Sequence, residues 1–202
     1  VRNRDGRTTR DALVAGALRL MEVRGYQNTS LDDVLRESGV GKGNFYYHFR
    51  SKEDLGHAIL DQIIGSFLEH TLEPCFSDTD GHCLSQIRCF LSPVEEYQRE
   101  RKCVGGCAMG NLASELSDVH EGFRARLASV FTAWQERLTL VLREAQTRGE
   151  LVQRRQPEAV AHFVVAALEG SILLSKVTKN IAVMEQCVTE LERYLALYEV
   201  RS

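Results

Sequence analysis

Apolar residues recur along this chain at intervals of three and four, a spacing that predicts helices from end to end. Leu13, Ala17, Leu20 and Met21 give one apolar face to a helix over 9–24, and Gly25 stops it. Leu55, Ile59, Ile63 and Phe67 form a stripe on a connecting helix over about 51–73, expected to end near Pro74. A helix over roughly 82–98 carries Ile87, Phe90 and Leu91, with Pro93 an irregularity inside it, and residues 99–106 form a loop. Ala108–Leu116 and 123–148 follow, the longer helix with Phe123, Leu127, Phe131, Trp134, Leu138 and Val141 inward and Gly149 at its end. The last two helices span about 157–179 and 182–199. With three prolines and no β-branched runs set between turn pairs, the expected fold class is all-α.

One stretch departs from simple amphipathic helix. Residues 30–49, SLDDVLRESGVGKGNFYYHF, predict two short helices joined by a tight glycine turn. Thr29 and Ser30 can each cap the first helix, with Asp32 and Asp33 three residues on. Gly39 suits the left-handed residue after it, and Val40 can plug the turn into the core. In the second helix Phe45 and Phe49 share a buried face, so Lys42, Asn44, Tyr46, Tyr47 and His48 must point outward. Those side chains bind phosphates and base edges, and Gly41 and Gly43 let the backbone approach a phosphate. A short helix with an apolar rail below and this face above suits a DNA groove.

The segment Thr29 to Asp54 resembles the headpiece of TetR family transcriptional regulators. The matches are Thr29, Gly39-Val40, Lys42-Gly43, Tyr46, His48-Phe49, and Lys52 with Leu55. Val34-Leu35 stands where the family usually has Ile-Ala, and Asn44 occupies a position where a small residue is common. The resemblance implies a three-helix DNA-binding headpiece over 1–52 and a six-helix ligand-binding and dimerisation domain over 53–202. It implies a homodimer on a near-palindromic double-stranded operator, because the protein's two-fold axis must match that of the DNA. The expected DNA-binding residues are Arg7, Thr29, Lys42, Gly43, Asn44, Tyr46, Tyr47, His48 and Lys52. Asn44 is the candidate base reader, since Asn pairs bidentately with adenine.

Charge adds to this picture only through its distribution. The net value of −3 would argue against nucleic acid, but residues 1–52 hold ten Lys/Arg against six Asp/Glu and the rest carries −7. Arg2, Arg4, Arg7 and Arg10 form a basic arm able to follow phosphates or enter the minor groove. A hydrophobic content of 44% supports a sizeable core. No membrane span and no signal core are expected, which places the protein in the cytoplasm. Small and apolar residues around Phe163, Ala166, Ala167, Gly170, Ser171 and Leu174, with Cys187, Leu191, Tyr194 and Tyr198, predict the dimer face on the last two helices.

The six cysteines should be reduced thiols in that compartment. Cys103 and Cys107 lie four apart after Arg99, Arg101 and Lys102, and Cys107 falls at a helix start; cations and a helix N-terminus both lower a thiol pKa. The segment Gly106 to Leu116 resembles the Gly-Cys motif of TetR regulators, and within them the NemR type that controls electrophile and reactive-aldehyde detoxification genes. There a Cys works with a Lys on the family's eighth helix, and the matching residues here are Cys107 and Lys176. The effector is accordingly an electrophile acting on Cys107, or a small molecule. Its pocket would be walled by Phe67, Phe90, Phe131, Trp134 and Phe163 and anchored by Asn111, Glu115, Glu169 and Lys176.

Two other functions compete. A metal-responsive regulator could use His82, Cys83 and Cys89, or His70 and Cys75, but these spacings match no standard zinc pattern. A thiol enzyme could use Cys103 and Cys107, but it lacks the C-x-x-C motif and leaves the headpiece without a purpose. The expectation is a regulator that is not an enzyme and has no cofactor or bound metal.

Overall fold

The computed structural model describes residues 9–77, 81–153 and 156–200. Among them the chain is helical, with no named strand and one isolated bridge between Leu151 and Glu199. The helices are α1 (Thr9–Arg24), α2 (Leu31–Ser38), α3 (Lys42–His48), α4 (Lys52–Phe67), α5 (Glu73–Phe76), α6 (Cys83–Glu100), α7 (Ala108–Leu116), α8 (Glu121–Thr147), α9 (Pro157–Thr178) and α10 (Ile181–Ala196).

The chain folds into two compact units. One runs to Gly65 and takes in Ala108–Arg124; the other takes Ser66–Cys107 and the chain from Ala125 onward. A boundary at residue 52 was expected from sequence. The contacts instead keep α4, α7 and the first turn of α8 with the headpiece, because Tyr26, Gly56 and Phe123 pack as one cluster. The Tyr26 and Phe123 rings stand 5.3 Å apart, and a Cβ on Gly56 would come within 2.8 Å of both.

Local signals account for the headpiece. Ser30 caps α2 through a reciprocal pair with Asp33: its hydroxyl accepts from the Asp33 N–H, and the Asp33 carboxylate accepts from the Ser30 N–H. The Ser30 hydroxyl also donates to the Asp33 carboxylate at 2.6 Å, and with the Ser30 N–H bond this holds the Asp33 carboxyl below the usual carboxylate range. Gly39 adopts the left-handed conformation at φ 66°, and Gly25 at φ 81° closes α1. Leu13, Ala17, Val34, Phe45 and Phe49 are buried together as this unit's core.

In the second unit, the expected stop near Pro74 is a change of register. The ladder widens to a π-turn over Leu68–Leu72, where the Glu73 N–H donates to the Leu68 carbonyl, and Pro74 follows in the first turn of α5. Pro93 lies within α6 as expected. The core draws on α6, α8, α9 and α10 and includes Ile87, Phe90, Trp134, Leu138, Val164, Leu168, Met184 and Leu191. By length and composition α9 is apolar enough to cross a membrane, with a mean hydropathy of 1.6. It buries Val160, Ala161, Val164, Val165, Leu168 and Ile172 in this core, which gives its apolar character a use inside the domain.

Cys75 and Cys89 are joined as a disulfide between α5 and α6, with Cα atoms 5.4 Å apart. This corrects the expectation of six free thiols: four remain, at Cys83, Cys103, Cys107 and Cys187. The pair has no motif spacing, and only the α5–α6 approach brings the two together.

Candidate nucleic-acid interface and thiol corner

α3 is a seven-residue helix seated on an aromatic rail. Phe45 is fully buried, Phe49 is 3% exposed, and their ring centroids lie 5.8 Å apart. Gly41, Lys42, Gly43, Asn44, Tyr46 and Tyr47 are all exposed, Tyr47 at 83%, and His48 is half-buried with its ring edge-on to Tyr47 at 4.9 Å. Lys42 makes no ion pair among the described residues, so its charge faces outward unneutralised. An exposed tyrosine is a poor choice for stability and a good one for stacking on sugars or bonding to phosphates.

Two residues expected at this interface are placed differently, and a third is not described. Thr29 is fully buried and its hydroxyl donates to the Gly25 carbonyl at 2.7 Å, so it fastens the turn. The Lys52 ammonium lies 4.4 Å over the Tyr26 ring and donates to the Gln27 carbonyl at 3.5 Å; burial pulls its pKa down against the pull of Glu115. Arg7, with Arg2 and Arg4, lies outside the described residues. Arg10 is described and stacks its guanidinium 5.3 Å from the Phe49 ring.

The Tyr26 turn has a further partner that the sequence pattern concealed. The Glu115 carboxylate, at the far end of α7, accepts from the Tyr26 N–H at 3.1 Å and the Gln27 N–H at 2.9 Å. Its own carbonyl accepts from the Gln27 side-chain amide at 2.8 Å. Gly25 allows this approach: a Cβ there would stand 2.6 Å from the carboxylate. Glu115 is therefore a clamp on the α1–α2 turn. Its expected role as a pocket anchor is overturned, since both oxygens are already taken by the backbone. Nothing local marks it, because its partners lie nearly ninety residues upstream. Burial, helped by Glu53, pushes the Tyr26 hydroxyl up to about 12.

The second cluster surrounds the Gly-Cys pair, inside the second unit. Lys102, Cys103, Gly105 and Gly106 all have positive φ, and this tight path delivers Cys107 to the position just before α7. Gly106 lies against α9: a Cβ on it would meet the Lys176 Cδ at 2.9 Å and the Ile172 Cγ2 at 3.7 Å. The buried Gln98 amide donates to the Gly106 carbonyl at 3.3 Å, and Lys179 donates to the Cys103 carbonyl at 3.2 Å. Cys107, half-buried, then reaches Glu169 one turn along α9, and its thiol hydrogen-bonds to that carboxyl. Burial pushes the Glu169 pKa up, partly offset by the thiol, and the other oxygen, Oε1, is buried without a hydrogen-bond partner among the described residues.

Cys103 is buried and its carbonyl, not its thiol, carries the contact seen here. Arg99, expected to activate Cys107, is held by Glu95, Glu96 and Glu185. Its charge is spent on those carboxylates, so it cannot favour a thiolate. Asn111 is half-buried on α7, four residues beyond Cys107.

The expected aromatic wall separates into two groups. Phe67, Phe90 and Phe131 surround Trp134 with centroids 5.2, 5.3 and 6.0 Å away, while the Trp134 Nε1 is buried with no partner among the described residues. Phe163 is 46% exposed and pairs with Tyr194 instead, on the outer face of α9. Of the residues of the metal reading, Cys75 and Cys89 are bonded to each other and His82 lies beside Glu150 and Glu199.

Known proteins match both parts of the chain. The family model for bacterial regulatory proteins of the tetR family matches residues 13–59, and that for the tetracyclin repressor-like C-terminal domain matches 83–191. An HTH-type transcriptional regulator from the lacX 3′ region of Lactococcus lactis is 33% identical over 89% of this chain and 89% of its own length. The crystal structure of a TetR regulatory protein from Rhodobacter sphaeroides superposes with a TM-score of 0.84 at 30% identity, covering 92% of this chain and 97% of that one. The Escherichia coli repressor NemR is a more distant relative, 23% identical over 93% of this chain and 94% of its own.

Proposed function

The chain belongs to the TetR family of bacterial transcriptional regulators, proteins that bind DNA and are not enzymes, and we propose that it is a repressor released from its operator when an electrophile modifies Cys107. The observation that carries the DNA half is the exposed Lys42, Asn44, Tyr46 and Tyr47 face on the buried Phe45–Phe49 rail. Two copies of α3 on a homodimer would read the half-sites of a near-palindrome, acting in the cytoplasm where the chromosome lies. The dimer face is supported by α9, which leaves Phe163, Leu173, Leu174 and Val177 exposed along one side, Val177 at 72%.

The effector half rests on the thiol corner. Cys107 is the most accessible sulfur of the Gly-Cys loop and is followed directly by α7, whose other end clamps the Tyr26 turn through Glu115. An adduct on Cys107 would disturb the first turn of α7 and, along that helix, the clamp that holds α1 against α2. For release, the adduct must be better accommodated in the released state than in the DNA-bound one; a coupling of about 1–3 kcal/mol changes operator affinity roughly 5- to 150-fold.

The test is operator binding by fluorescence anisotropy, with DNA from the gene's own upstream region, before and after a reactive aldehyde. Wild type should release and Cys107→Ser should stay bound. Equal release of both would make Cys107 structural and move the effector to the cluster around Trp134, whose unpartnered Nε1 is the observation favouring a non-covalent ligand.

A further inference from the structure

We propose that Glu169 is the proton partner of Cys107: it takes the thiol proton as sulfur attacks a conjugated carbonyl compound and returns it to the adduct. The inference rests on the reading of Cys107 as the sensing thiol and names the residue that would make it react.

The geometry is specific. Gly106 has no side chain, so the loop presses against α9 between Ile172 and the Lys176 stem, and the next residue meets Glu169. One carboxyl oxygen receives the thiol; the other is buried without a partner and is free to hold a proton. A carboxyl buried with no cation bonded to it is a strained acceptor, costly unless it serves a purpose. As a structural feature it would be better replaced by Gln, which has no charge to bury.

As the partner of a thiol it has one. Cys107 and an ionised Glu169 share one proton and one negative charge, so moving the proton from Sγ to the carboxylate creates a thiolate without adding charge to the site. A carboxyl whose proton affinity is raised by burial is also closer to a thiol in basicity, which favours transfer in both directions. In the reaction the sulfur pair forms a bond to the β-carbon and the C=C π pair moves toward the carbonyl as an enolate. The Sγ proton passes to Glu169 and then to the α-carbon. The net change is addition of S–H across C=C, with no leaving group and no oxidant.

The experiment compares two amides of similar size on the full-length protein, with modification at Cys107 followed by peptide mass spectrometry and Cys107→Ser as the blank. Acrylamide adds by conjugate addition and needs a proton delivered to carbon; iodoacetamide is displaced at carbon and does not. Glu169→Gln should slow acrylamide about tenfold or more, within the range of general acid–base effects. It should slow iodoacetamide by less, because that reaction loses the base at sulfur but needs no proton returned to carbon, so that the ratio of the two rates falls. Glu169→Asp should recover part of the ratio, which also covers the case of a poorly folded Gln variant. Equal slowing of both reagents, or no change in either, overturns the proposal. Operator binding is read separately: a Glu169-dependent adduct that leaves the protein on DNA supports the proton role and refutes the sensor reading.

Discussion

α3 and the Gly106–Cys107 corner both concentrate chemistry in a few residues, and they acquire it by opposite routes. α3 takes its exposed face from its own periodicity: Phe45 and Phe49 bury themselves, and everything between them turns outward. The corner takes its chemistry from a distant helix, since Glu169, Ile172 and Lys176 all come from α9. Without α9, Cys107 would meet none of these residues. A recognition surface must be presented to a partner, so local pattern is enough to build it. A reactive site must be enclosed, and enclosure needs other elements.

Substitutions can separate these two kinds of construction. The largest effect is expected from Phe45→Ala, which empties a fully buried ring site and should cost the headpiece about 3–5 kcal/mol. Urea unfolding would show it, with operator binding lost and iodoacetamide labelling of Cys107 unchanged. A change in that labelling would break the contrast drawn above. Asn44→Ala should relax preference at one operator position by about 1–3 kcal/mol, whereas uniform weakening on every sequence would remove Asn44 from base reading.

Gly106→Ala is the counterpart on the other side. The residue sits at φ 74°, and the new Cβ would meet the Lys176 stem at 2.9 Å. A left-handed non-glycine residue costs about 1–2 kcal/mol. Thermal unfolding should register that loss, and Cys107 labelling should change while the untreated protein still binds its operator. The smallest effect is expected from Lys42→Ala, which should weaken binding on all sequences and lower the salt slope by about 1. An unchanged slope would take Lys42 away from the phosphates.

Much of the architecture was legible because helices announce themselves locally. The expected Ala108–Leu116 helix is α7 as observed, and Ser30, Gly39 and Gly25 perform the capping and stopping roles assigned to them. Most of the errors share a cause. Thr29 and Lys52 look like headpiece contacts, but each is turned inward to the Gly25–Gln27 turn, Thr29 by a local bond to Gly25 and Lys52 by a bond from the start of α4 to Gln27. Glu115 looks like a pocket anchor on a helix face; its true partners are two backbone amides of the headpiece. Phe163 has the apolarity of a cavity wall but faces outward on α9. The Cys75–Cys89 bond follows from the meeting of α5 and α6.

The sequence by itself determined which segments are helical, where the headpiece helices stop, and which side of α3 is polar. Each of these depends on residues within one or two turns, where the backbone hydrogen bonds and the buried stripe are decided. The tertiary structure alone decided which polar groups are consumed and which remain available: that Glu115 clamps Tyr26 and Gln27, that Arg99 is neutralised, and that Cys107 meets Glu169. A side chain's chemistry is set by the groups within a few ångströms of it, and in a bundle of helices most of those come from elsewhere in the chain.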